Sequence, residues 1–194
     1  MALISKIKNT ADSIDYNIRD DVHTWGGRNL MKRTCYSAFA PDNFNNGTAA
    51  GVSFADGKAI IPYGKEVYHK NYVDNVIGLI PSGTTLTCSI YIYEATATGG
   101  NHKVYMSPLT NATGSVSWTN TKSIPSGTVG LVSWQWTTSA DYYGFVLDLD
   151  TRNDTSGQII FGQAKIEIGN KPTDWSPAPE DIAYVNGTTL ELLS

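Results

Sequence analysis

Apolar and polar positions repeat along this chain with two different periods, and the change between them falls near residue 25. In residues 1–25 the apolar positions Ile4, Ile7, Ala11, Ile14 and Ile18 step by three, four, three and four. That rhythm is the seam of a coiled coil, narrower than the stripe of a helix laid on a core. Isoleucine at both kinds of seam position favours three helices, while Ala11 narrows the bundle where it falls. The expectation is therefore a homotrimer. A seam this short associates only marginally, so a single helix packed on the body stands as the alternative. Gly26-Gly27 ends the helix.

From there on the period is two, the signature of strands with one buried face. Residues 84–94 set Leu86, Cys88, Ile90 and Ile92 against Thr85, Thr87, Ser89, Tyr91 and Tyr93. Residues 141–150 set Tyr143, Phe145, Leu147 and Leu149 against Tyr142, Val146 and Asp148, and residues 128–137 place Val132, Trp134 and Trp136 on one side. In the closing strand Ile160, Gly162, Ala164, Ile166 and Ile168 read as the core face, and Gln163, Lys165 and Glu167 as the wet one. Shorter strands are expected over residues 28–36, 102–108 and 115–119, with an apolar run at 76–80. A hairpin joins 50–54 to 58–61 around Ala55-Asp56-Gly57. Residues 63–72 show no clear period and read as an exposed loop or irregular edge. About eight to ten strands at this spacing predict an all-β domain over residues 26–180, a jelly-roll β-sandwich of two antiparallel sheets. The N-terminal helix precedes it, and residues 181–194 form a tail, either a hairpin around Asn186-Gly187 or the start of a further segment.

Charge and composition narrow the partners. Of 194 residues only 16% are charged and the net charge is -4, so no basic field exists to gather nucleic acid or an anionic membrane surface. No run of eighteen apolar residues occurs, and the lysines near the N-terminus break what would be the core of a signal peptide. Synthesis in a cytoplasm, without a signal peptide, is expected. Cys88 lies among apolar neighbours and needs no bridge to Cys35 to be buried. The Asn-x-Ser/Thr matches at Asn46, Asn111, Asn153 and Asn186 read as turns.

The run AKIEIGNKPTDWSPAPED (residues 164–181), with Gly27-Arg28-Asn29-Leu30-Met31 as its matching opening, resembles the ends of carbohydrate-binding-module-like domains in tail and baseplate proteins of phages of Gram-positive bacteria. The resemblance implies a receptor-binding or accessory protein of a virion, placed at the tail tip or baseplate, with other tail proteins as partners and host adhesion as its task. It also permits a structural calcium, for which Asp148, Asp150 and Asp154 are the oxygen donors in this sequence. Otherwise no cofactor and no metal is expected.

Catalysis has little to stand on. Gly51-Val52-Ser53-Phe54-Ala55 lacks the last glycine of a nucleophile elbow, and His23, His69 and His102 read as solvated and stand at no metal-ligand spacing. A glycosidase would need Asp141, Asp148 or Asp154 to meet Glu94 across a cleft, and acidic turn residues are equally what solubility supplies. Aromatic surface is the stronger feature, because a ring laid under the C–H face of a sugar, with polar groups at its rim, is how proteins hold saccharides. Candidate rings are Trp134, Trp136, Tyr91, Tyr93, Trp118 and Tyr142, with Gln135, Asp141 and Asn120 beside them. For Trp134 and Trp136 core and site are equally open readings, whereas Tyr91 and Tyr93 face away from the apolar side. The expected function is non-catalytic recognition of a cell-wall polysaccharide or other surface saccharide, strengthened by the avidity of three copies. The alternative is a structural tail protein whose aromatics make subunit contacts.

Overall fold

The computed structural model describes residues 27–31, 51–72, 79–100, 102–176 and 178. The predicted coil with Ile4, Ile7, Ala11, Ile14 and Ile18, Cys35, His23 and the tail 181–194 lie outside these residues.

Nine strands follow one another among the described residues: β1 Ser53–Ala55, β2 Lys58–Pro62, β3 Glu66–Tyr72, β4 Thr85–Ala95, β5 Lys103–Leu109, β6 Thr121–Ser123, β7 Gly130–Thr137, β8 Gly144–Asp150 and β9 Gln158–Ile168. They form two sheets, ordered β1-β2-β9-β4-β7 and β3-β8-β5-β6, and every pairing is antiparallel. The expected all-β body of two antiparallel sheets is present. Between the sheets Leu86, Cys88, Ile90, Ile92, Phe161 and Ile166 meet Val104, Met106, Phe145, Leu147 and Leu149 in one cluster. Cys88 is a free thiol, pushed up to about 12 by burial although Asn120 hydrogen-bonds to it. The first hairpin turns on Asp56-Gly57, both at positive φ (50 and 70), the two-residue turn that matches strand twist.

Five expectations need correction. Residues 66–72 are the edge strand β3, not a loop. Its inward positions are Val67 and His69, and a histidine in the buried row hid the alternation. His69 and His102, expected in solvent, are each only 6% exposed. His102 Nδ1 lies 3.0 Å from Asp154 Oδ1, whose burial it shares. Residues 115–119 form no strand; Val116 makes a single bridge to Leu109, and the next strand is β6.

The closing strand departs twice from its expected pattern. Its pairing with β4 steps from Ser89↔Lys165 to Tyr91↔Gly162, one residue too many on β9, and Gln163 sits at φ 51. This is a β-bulge, and it reverses the alternation. Ile159 and Phe161 point inward before it, Ala164 and Ile166 after it, so Ile160 and Gly162 do not share the face of Ala164. The supposedly wet Lys165 and Glu167 are 0% and 1% exposed. The chain beyond β9 folds back over them: Lys165 Nζ donates to Thr173 Oγ1 (2.6 Å) and the Asp174 carbonyl (2.9 Å). Glu167 accepts from Thr173 N (2.8 Å) and Oγ1 (2.7 Å). The opening segment meets the same place, with Asn29 Nδ2 donating to the Ala164 and Ser176 carbonyls (3.1 Å each) and Leu30 N to the Ile166 carbonyl (2.7 Å). The two ends of the body are thus stitched to one strand.

Candidate functional site

The outer surface of the four-stranded sheet carries a groove of about 400 Å³ whose residues are set by register. On β3, β8 and β5 the outward positions align as Tyr68↔Asp148↔Tyr105 and, one step along, Glu66↔Asp150↔Lys103. Asp148 therefore lies between two tyrosines, and it is only 2% exposed. Residues 115–120 run beside β5, held by Ser117 N to the Pro108 carbonyl (3.0 Å) and Met106 N to the Asn120 carbonyl (3.0 Å). This places Trp118 edge-on to Tyr105, ring centres 5.5 Å apart at 85°. Trp118 is nevertheless 50% exposed. A half-open indole in an open groove is a surface on which a flat ligand can stack.

The far end of the groove is charged. Arg152 donates through Nε and Nη2 to the two oxygens of Asp150 (3.0 and 2.8 Å), and Nη2 also stands 2.9 Å from Glu66 Oε1. Burial raises Asp150, but the hydrogen bonds and charge of Arg152 outweigh it and hold that carboxyl below its usual range. Asp148 behaves oppositely: burial, then the charges of Glu66 and Asp150, push it up to about 8. Glu66 is raised as well, chiefly by burial. The charge of Glu66 acts on Asp148, and neighbouring carboxyls favour keeping one of the pair protonated. Lys70, at the other end, donates to the Gly114 carbonyl (2.9 Å).

Of the nine residues singled out by sequence, Trp118 alone lines this groove. Trp134 and Trp136 pack against the core, and Trp134 Nε1 donates to Asn120 Oδ1 (2.6 Å). Tyr142 is buried against Trp136, centres 5.6 Å apart. Tyr91 and Tyr93 form a tilted pair (4.7 Å) on the outer face of the other sheet, with Lys58 Nζ 4.4 Å from the Tyr93 ring centre. Gln135 donates to the Asn170 carbonyl, and Asp141 accepts from Ser82 N (2.8 Å) in a turn. The nine therefore do not converge on one site. Glu94, expected to face an aspartate across a cleft, accepts instead from Thr96 and Gln158 (3.0 Å each). The three aspartates named for calcium go separate ways: Asp148 to the groove, Asp150 to Arg152, Asp154 to His102 and Gly100 N. Among the described residues no three His, Cys, Asp or Glu gather as a metal would require.

Tyr68, Tyr105, Glu66 and Arg152 were missed, and Asp148 was named only for calcium or for catalysis. One signal was there to be read: Lys103, Tyr105 and Ser107 alternate with Val104 and Met106.

No family model matches the chain, and neither does any curated protein. Solved structures similar to it include one described as "CBM4 structure and function", at 14% identity over 71% of this chain and 94% of that one, TM-score 0.45. Another is the tripod (BppUct-A-L) from the baseplate of bacteriophage Tuc2009, at 12% identity over 79% of this chain and 59% of that one, TM-score 0.47. A third is the enzymatically active domain of tailspike protein 4 of bacteriophage CBA120, at 8% identity over 73% of this chain and 21% of that one, TM-score 0.49. At such low identity and overlap these likenesses assign nothing to this chain.

Proposed function

We propose that the protein is a non-catalytic binding module which holds a saccharide in the groove of the four-stranded sheet, on a jelly-roll frame. The observation that carries the reading is the half-exposed Trp118 indole, edge-on to Tyr105, in a groove with a buried carboxyl and a charged rim. It offers a ring for the apolar face of a sugar and polar groups for its hydroxyls. The jelly-roll form is supported by pairing: β2 with β9, β3 with β8, β4 with β7 and β5 with β6. Those are the partners in one long folded hairpin rolled on itself, alternate pairs falling in alternate sheets. Absence of catalysis is supported by Glu94, which bonds to Thr96 and Gln158 instead of facing a second carboxyl across a glycosidic bond.

The virion setting rests on the closing segment's resemblance to phage tail and baseplate domains, and the homotrimer on the seam Ile4, Ile7, Ala11, Ile14 and Ile18. A host cell-wall polysaccharide is then the ligand and adhesion the task. Screening the chain and Trp118→Ala on an array of cell-surface glycans tests this; equal binding by both removes the groove from consideration, and sedimentation of the full chain tests the trimer. A second reading, aromatics as subunit contacts, is favoured at one spot: Leu131, 56% exposed, lies in register with Tyr91 on the other sheet.

A further inference from the structure

The groove's floor carries more than stacking. Asp148 Oδ1 is buried and has no hydrogen-bond partner within the protein, although Asp148 lines the groove. An acceptor buried without a donor is costly, so folds keep such atoms mainly where something arrives to satisfy them. The groups around it decide what arrives. From β3 come Glu66, Tyr68 and Lys70, from β5 Lys103 and Tyr105, and past the end of β8 Arg152. Arg152 is already spent on Asp150 and Glu66. It offers an anionic ligand no unpaired charge; Lys70, bound to the Gly114 carbonyl, stands at the opposite end of the groove, and beside the floor the Glu66 carboxylate repels an anion.

We infer that the groove selects an uncharged sugar, and that Asp148 is its specificity residue, accepting a hydrogen bond from a ligand hydroxyl at Oδ1. This rests on the saccharide-binding reading above. The push of the Asp148 carboxyl up to about 8 agrees with it, because a neutral acid at the floor accepts a hydroxyl without the hydration an ion would have to shed.

Isothermal titration of the full chain with neutral hexasaccharides of glucose, mannose, galactose and xylose tests the inference, each hexose ligand being set beside its C6-oxidised uronic acid counterpart. At least one neutral ligand binds, and its uronic counterpart binds about tenfold more weakly or not at all. Asp148→Val, which suits a strand and removes the acceptor, loses about tenfold or more in affinity. Asp148→Asn recovers most of that loss, since its amide oxygen accepts as Oδ1 does. Circular dichroism and melting confirm that each variant is folded. Uronic ligands bound as well as neutral ones, Asp148→Val binding like the parent, or Asp148→Asn as weak as Asp148→Val overturns the inference. Trp118→Ala separates the two levels: if it abolishes binding while Asp148→Val does not, only the inference falls. If no ligand binds the parent chain, the saccharide reading falls and takes the inference with it.

Discussion

Both sheets have an outer face, and both faces bury charge, but they dispose of it differently. On the five-stranded sheet Lys165 and Glu167 are covered by the chain's own return, and Thr173 and the Asp174 carbonyl satisfy them. Thr87 Oγ1 likewise donates to the Gly169 carbonyl (2.9 Å). On the four-stranded sheet Asp148 is as deeply buried, yet Oδ1 is left without a partner, and Trp118 beside it is half open. A buried polar group closed by its own chain is structure; one left facing a groove is an offer to a ligand.

That difference is sharpest under mutation. Lys165→Met leaves Glu167 buried without its cation, a change that typically costs about 3–5 kcal/mol. Urea denaturation is expected to show that loss, with saccharide affinity per folded molecule unchanged; a loss under 1 kcal/mol, as an order-of-magnitude bound, would mean the closing segment does not cover the pair. Next in size comes a contrast between tryptophans. Trp134→Ala removes a ring packed on the core and its bond to Asn120 and is expected to destabilise by about 3 kcal/mol. Trp118→Ala is expected to cost under about 1 kcal/mol while abolishing binding. Chemical denaturation and titration on the same two variants read both quantities, and an interchange of the effects would reverse the roles of the two rings.

How much of this was legible before the fold was known depends on how each residue is buried. Leu86, Cys88, Ile90 and Ile92 sit where alternation put them, because their burial is decided by one strand's own pattern. Lys165 and Glu167 misled because what buries them is the chain after the strand, and no periodicity within a strand reports a cover laid over it. The bulge at Gln163 was invisible for a related reason: alternation counts residues and assumes none is inserted. Gly162 marked the place, since a Cβ there would stand 2.6 Å from the Gly57 carbonyl, but a glycine in a strand has several causes. The groove was the least legible part. Tyr68, Asp148 and Tyr105 come from three strands and meet only through register, whereas Trp134-Gln135-Trp136, conspicuous in the sequence, points its rings into the core.

A smaller effect comes from pH. Asp148, pushed up to about 8 in the folded protein by burial and by Glu66 and Asp150, holds its proton more tightly than in the unfolded chain, where an aspartate titrates near 3.9, roughly. Its contribution to stability is therefore fully present at acid pH and is lost as pH rises through the folded value. Glu66, also raised, acts in the same sense. Asp150, held low by Arg152, acts in the opposite sense and only at acid pH, where its contribution disappears as it is protonated. The melting temperature is expected to be higher at pH 5.5 than at pH 9 by about 5 °C, and Asp148→Asn to remove most of that difference. A parent chain that melts at the same temperature across this window has no such raised carboxyl in its groove.

The smallest expected effect tests the closed sheet at an open corner. Lys58 Nζ stands over the Tyr93 ring, which leans on Tyr91, and burial, then Tyr91, raise the Tyr93 hydroxyl above its ordinary value. An exposed cation–π contact contributes about 0.5–1 kcal/mol, so Lys58→Ala is expected to lower stability by no more than that in urea. If the groove alone reads sugar, this variant and Tyr91→Ala bind like the parent. If Tyr91, with Leu131 in register beside it, instead meets a neighbouring subunit, Tyr91→Ala shifts the sedimentation profile and leaves the titration unchanged. A loss of saccharide affinity in Tyr91→Ala, with the profile intact, would put the ligand on the sheet that the chain's own ends partly cover, and would undo the distinction between a closed face and an open one.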